Sequence, residues 1–182
     1  MIRPIVLYGS PFLRERCVNA DITDNNLSRL LKDLKDTMKH AGGAGLAAPQ
    51  IGVCMRVFVV ETVSSYRSLR SKERIIYFKG DTGIEEVFIN PVITWRSADT
   101  NDDKEGCLSI PGLSGVVQRP DSIKIQYLDG NLQKCTQIFA GFTARIIQHE
   151  YDHIEAILYI DRLPAAERRK MQDQLQGLKE HK

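Results

Sequence analysis

Residues 148–156, QHEYDHIEA, set His149 and His153 four positions apart, with Glu150 directly after the first histidine. On a helix, positions i and i+4 lie one turn apart on one face, so the two imidazoles can reach a single metal ion. Glu150 can then serve as a proton carrier beside it. The competing reading is a helix whose histidines are incidental. Two features weigh against that reading. The chain has only 4 histidines, and two of them fall here. Ile146, Ile147 and Ile154 also mark the helix as largely buried, and a buried imidazole without a partner is costly.

Two ligands leave a metal site incomplete. In proteases of the HExxHxxGxxH pattern a third histidine would fall at position 159 and a glycine at 156; Tyr159 and Ala156 stand there, which excludes that class. A glutamate on a following helix is a second route. Glu155 is too near, and Glu167, beyond Pro164, stays open. Upstream, EGCLSIPG at 105–112 offers Cys107 in a shaped, glycine- and proline-flanked loop. A thiolate suits zinc or iron(II), although a free cysteine is more often a small buried hydrophobe. Cys17, Cys54 and Cys135 form no CxxC pair, and a disulfide framework is not expected in a reducing compartment. The segment GGAGLAAPQIG lets backbone approach a ligand closely and ends in the amide donor of Gln50. It lacks a Walker lysine and the Rossmann glycine spacing, so phosphate cradling is rejected.

These residues need elements to hold them. Leu27, Leu30, Leu31, Leu34, Met38 and Ala41 follow helical spacing, with Thr23 or Asp24 as cap and Gly42 and Gly43 as stop. Residues 56–61 read as a buried strand. The stretch 62–86 is an excursion: SSYRSLRSKER as loop, RIIYF as a short strand, KGDTG as a turn. Residues 87–93 resume as a strand that Asn90-Pro91 bends or places at an edge. Residues 123–127 and 132–139 pair across an Asp129-Gly130 turn. A helix follows over 141–156, and Pro164 opens a last helix, about 164–179, with Met171, Leu175 and Leu178 on one stripe. The expected fold is α+β: antiparallel or mixed sheets packed around the central HExxH helix, with further helices at the N- and C-terminal ends, as one domain over 1–182.

Composition adds exclusions. With 42% hydrophobic and 26% charged residues the chain is of the globular class. A net charge of +2 argues against a dedicated DNA or RNA binder. The N-terminus has no signal-peptide pattern, and no apolar run approaches the ~20 residues of a membrane span, so the cytoplasm is the expected location.

In order and spacing, GAGLAAPQ, EGCLS and HEYDH resemble the three signature motifs of the peptide deformylase family. YGSPFLR, INP, GFTARIIQ and YIDRL extend the likeness along much of the chain. The resemblance implies a metal-dependent hydrolase of protein biosynthesis that removes the formyl group from the N-terminal formyl-methionine of nascent polypeptides and releases formate. It implies that Cys107, His149 and His153 hold one divalent ion, ferrous iron by family habit, with zinc, nickel or cobalt able to replace it. Glu150 would carry the proton, and the Gln50 amide and the Leu108 backbone N–H would face the developing oxyanion. Gly45 would pair with the substrate backbone, and Ile146 would line the methionine pocket. A bacterial cytoplasm is the implied setting, with an organellar form left open and no transit peptide seen. The chain departs from the family at Ala156, where a glycine is usual, and in its longer 62–86 segment. Arg168-Arg169-Lys170 offers a transient contact with ribosomal RNA, against the blander reading of a solvated helix face. A peptidase and a retired binding protein are the rival functions; retention of Glu150, Gln50 and all three ligands argues against the second.

Overall fold

The computed structural model describes residues 1–180. Helix α1, Leu27–Ala41, lays Leu27, Leu34 and Met38 into a core shared with the sheet. Gly42 ends it in the left-handed region at φ 68°, its N–H turned back onto the carbonyls of Lys39 and Met38. The helix begins a turn later than Thr23 or Asp24 would place it. Asp24 instead accepts the Asn26 N–H at 2.8 Å and shapes the preceding turn.

Strand β1, Gly45–Ala47, leads into a 3-10 turn, Ala48–Ile51, that carries Gln50. Strand β2, Val57–Glu61, is buried along nearly its whole length and pairs antiparallel with β1, Gly45 opposite Val60. The excursion differs from the expected loop and strand: it forms two short helices, α2, Val63–Ser68, and α3, Ser71–Phe78. Local contacts explain this. Glu73 accepts the Arg70 N–H at the start of α3, and Arg74 reaches the carbonyls of Tyr66 and Arg67. Phe78 is the buried anchor, edge-on to Tyr66 and tilted against Phe142, whereas Ile75 and Ile76 stay exposed.

Strand β3, Glu85–Arg96, runs antiparallel to β2 and breaks register between Ile89 and Val92. That is the Asn90-Pro91 bulge. Asn90 sits at φ 50° and exchanges both amide hydrogen bonds with the backbone of Ala20. A separate two-stranded sheet follows, β4, Thr100–Cys107, and β5, Ile110–Pro120. Strands β6, Ser122–Leu128, and β7, Lys134–Ala140, then return to the main sheet, whose order is β1-β2-β3-β6-β7. Between them Asp129 accepts the N–H groups of Asn131 and Gln133, and Leu132 takes the left-handed conformation. All named strand pairs are antiparallel; a single parallel bridge joins Val18 and Met55.

Helix α4, Gly141–Ile154, crosses the main sheet and buries Ala144, Ile147 and Ile154 against Phe58, Val60, Phe88, Ile123 and Ile125. It stops two residues short of the expected end, and Ala156 turns the chain at φ 63°. The C-terminal helix divides into α5, Ala165–Lys170, and α6, Gln172–Glu180, with the break at Met171. Met171, Leu175 and Leu178 cover a third apolar cluster built on Ile110, Val117, Leu158 and Ile160.

Candidate metal centre and substrate cleft

Cys107 is the last residue of β4, at a register shift that sets it opposite Ile110. Helix α4 brings His149 and His153 to the same point, one turn apart, with ring centroids 5.2 Å from each other. Cys107 Sγ lies 3.2 Å from His153 Nε2, and the ligand atoms of the three residues all fall within 4.8 Å of one another. Among the described residues this is the one grouping of such donors close enough to share an ion. Glu167 is elsewhere, on α5 and paired with Lys170 at 2.7 Å.

Of the two histidines, His149 is oriented by the structure behind it, whereas His153 Nδ1 is buried with no hydrogen-bond partner among the described residues. His149 Nδ1 meets Glu105 Oε2 at 2.9 Å, which turns Nε2 toward the cluster. Glu105 is itself gripped by Arg119, Nε to Oε1 at 2.6 Å and Nη2 to Oε2 at 2.8 Å, and by Arg145 at 2.6 Å. Arg119 reaches on to Asp152 at 2.8 Å, and Asp152 also holds Arg162. Burial pushes the Glu105 carboxyl up, but the hydrogen bonds from Arg119 and His149 outweigh it and hold the group well below the usual carboxylate range. Burial opposes charge on His149 as well, yet Cys107 and Glu105 raise it. His153 is driven down by burial and then by its neighbour His149. A divalent ion resolves this conflict, because a cation between thiolate and imidazoles keeps both rings neutral and the sulfur deprotonated. A half-buried cysteine sulfur and two buried imidazoles, soft and borderline donors converging on one point, fit such an ion.

Glu150 follows His149 and lies against β1, bordering the same cavity. Gly45 makes room for it: a Cβ there would stand 2.6 Å from Glu150 Oε1. Burial, only partly offset by His149 and Arg119, pushes this carboxyl up to about 7. Its Oε2 is buried and has no hydrogen-bond partner among the described residues. A carboxyl so placed can hold or release a proton near neutrality. Gln50 is clamped from both ends. Its Oε1 accepts the Ala47 N–H at 2.8 Å, so its amide nitrogen faces Ser109 Oγ at 3.2 Å and Cys107 Sγ at 3.6 Å.

In front of these groups lies a cavity of about 530 Å³, bordered by Gly45, Gln50, Cys107, Leu108, His149 and Glu150. Phe142, Ile146 and Leu113 give it an apolar wall. The structure therefore gathers Cys107, His149, His153, Glu150 and Gln50 at one point and sets Gly45, Leu108 and Ile146 along the adjoining cavity. Sequence reading missed Glu105, Arg119, Arg145, Asp152 and Ser109. Glu105 was within reach, because it lies two residues before Cys107 and so shares its side of a strand. Arg119 and Arg145 carry no local signal.

The sequence model of the family described as polypeptide deformylase matches residues 2–169. A peptide deformylase of Cytophaga hutchinsonii is 38% identical over 178 residues, which span 98% of this chain and 91% of that relative. One from Christiangramia forsetii is 37% identical over 184 residues, covering 100% of this chain and 92% of its own. The crystal structure of peptide deformylase from Thermus thermophilus superposes with a TM-score of 0.83 at 34% identity and covers 100% of both chains. The match runs through the glycine segment, the cysteine strand and the histidine helix alike, and the chain belongs to the polypeptide deformylase family.

Proposed function

We infer that this chain is the hydrolase that removes the N-formyl group from nascent formyl-methionyl peptides and releases formate. The observation that carries the reading is Glu150: a buried carboxyl with an unpartnered oxygen, poised near neutrality beside a Cys/His/His cluster. Cys107, His149 and His153 would hold the ion. When bound, such an ion acts as a Lewis acid and lowers the pKa of water toward neutrality. Glu150 takes the proton of the attacking water at Oε2 and delivers it to the leaving amine nitrogen. Gln50 Nε2, fixed by the Ala47 N–H behind it, and the Leu108 backbone N–H stabilise the oxyanion that grows on the formyl carbonyl. Gly45 lies on β1, the edge strand of the main sheet, which supports pairing with an extended substrate backbone. Ile146, half-buried on the cavity wall, receives the methionine side chain.

Ferrous iron is the ion we assign; zinc, nickel and cobalt suit the same donors. The enzyme acts in the cytoplasm, where nascent chains emerge. No helix of the described residues is long and apolar enough to cross a membrane. Arg168, Arg169 and Lys170 are exposed on α5, and two of them already pair with Asp161 and Glu167, which fits a weak and salt-sensitive touch on ribosomal RNA. Parallel time courses on formyl-Met-Ala-Ser and acetyl-Met-Ala-Ser test the reaction assigned. The formyl peptide is cleaved and the acetyl peptide stays intact; equal turnover of both would contradict it.

A further inference from the structure

Hydrolysis leaves three of the four cysteines unused, and two of them touch. Cys54 Sγ lies 3.6 Å from Cys17 Sγ. The parallel bridge between Val18 and Met55 explains the meeting: the Val18 N–H donates to the Cys54 carbonyl at 3.4 Å and the Arg56 N–H to the Val18 carbonyl at 2.8 Å. That register sets Cys17 opposite Cys54. Neighbouring strands run ~4.8 Å apart, within the range of about 4.4–6.8 Å between Cα atoms that a disulfide spans.

We propose that Cys17 and Cys54 are a second reactive site on this chain, a dithiol that a small-molecule disulfide oxidises to an intramolecular bond. The two sulfurs are unequal. Cys54 is half-buried and hydrogen bonds outward to the carbonyls of Glu15 and Arg16, whereas Cys17 is buried. Burial and the neighbouring Cys54 also push the Cys17 thiol up to about 12, which leaves Cys54 as the entry point. Cys54 loses its proton to solvent and attacks one sulfur of the oxidant RSSR. The oxidant's S–S bond breaks, and one equivalent of RSH leaves after protonation. Cys17 then attacks Cys54 Sγ in the mixed disulfide, its proton passing to the departing thiolate, which leaves as a second RSH. Two protein thiols are oxidised and one RSSR is reduced to two RSH.

The bond would fasten a structurally strategic place. The Cys17 N–H donates to the Ile154 carbonyl at 3.0 Å, one residue beyond His153, and Arg16 and Arg56 both pair with Glu155. Closing it also ties off the loop that contains α1, β1 and Gln50, which restricts the unfolded chain.

The test treats the metal-loaded full chain with glutathione disulfide, blocks remaining thiols, and maps tryptic peptides by mass. The expected product is peptide 17–29 joined to peptide 40–56, lighter than the sum of the two by two hydrogen atoms. Dithiothreitol reverses the link, and the oxidised protein melts several degrees higher than the reduced. Cys135→Ser should behave like the parent, and Cys54→Ser should lose the linked peptide. Cys17→Ser should stall with glutathione on Cys54, which separates the two steps. Glutathione retained on Cys54 of the parent, a link between any other pair, or no loss of thiols would overturn the proposal.

Discussion

A Cβ added to Gly45 would meet Oε1, Cγ and Cδ of Glu150 at 2.6, 2.7 and 2.8 Å, so the missing side chain of one residue sets the place of another. Gly45→Ala should displace the carboxylate and leave Cys107, His149 and His153 where they are. We expect kcat to fall on the order of 10²-fold with metal content unchanged, as steady-state kinetics and metal analysis would register. Loss of metal in that variant would instead show that β1 supports the ligands. Ala156 presents the opposite case, a side chain where the backbone favours none. At φ 63° it bears the left-handed penalty that glycine escapes. Ala156→Gly should stabilise the chain by about 0.5–1 kcal/mol, read from the urea midpoint at constant slope. A destabilised variant would mean that the Ala156 methyl group contributes packing that outweighs the strain.

At the scale of elements, β4, β5 and α4 are joined through Arg119, which is 2% exposed and links Glu105 on β4 to Asp152 on α4. Removing one partner from such a buried network leaves uncompensated charge. Arg119→Met should destabilise by about 3–5 kcal/mol and weaken metal retention through His149, to be measured by denaturation and by competition with a chelator. An unchanged midpoint would mean that Arg145 and Arg162 suffice. This network also marks the limit of what sequence disclosed. The four-residue spacing of the two histidines states their geometry, whereas the cysteine and the glutamine stood out through the family motifs that contain them. Helix α1, β6 and α4 were legible because their apolar period is regular, and β7 because the Asp129-Gly130 turn follows β6. The β4–β5 hairpin was not, since in TNDDKEGC the inward positions that alternate with exposed ones are Asn101, Asp103, Glu105 and Cys107, polar until the last. RIIYF reads as a strand but is helical, because its β-branched residues face solvent on α3 and only Phe78 is buried. Arg119, Glu105 and Arg145 meet only in three dimensions.

For the whole molecule, the pattern of ion pairs fixes how stability depends on pH. Burial pushes the carboxyls of Glu105, Glu155 and Asp161 up, and arginines more than reverse this, so each titrates below its ordinary value of 4.5, 4.5 or 3.8. A folded pKa below the unfolded one stabilises fully above the unfolded value and is lost as pH falls through the folded one. Glu150, raised to about 7, works in the opposite sense between about pH 7 and 4.5, so the loss from these three carboxyls should appear as a drop of the urea midpoint below about pH 4.5. A midpoint that kept rising as pH fell below about 4.5 would contradict the network. The account as a whole rests on Glu150 moving a proton beside ligands it does not help to hold. The most direct test is formate release from formyl-Met-Ala-Ser by protein purified without oxygen and loaded with ferrous iron, set against Glu150→Gln. The account predicts iron-dependent release by the parent, and a variant that binds one equivalent of metal but turns over about 10²–10⁴-fold more slowly. Undiminished release by the variant, or no release by fully loaded parent, would contradict it.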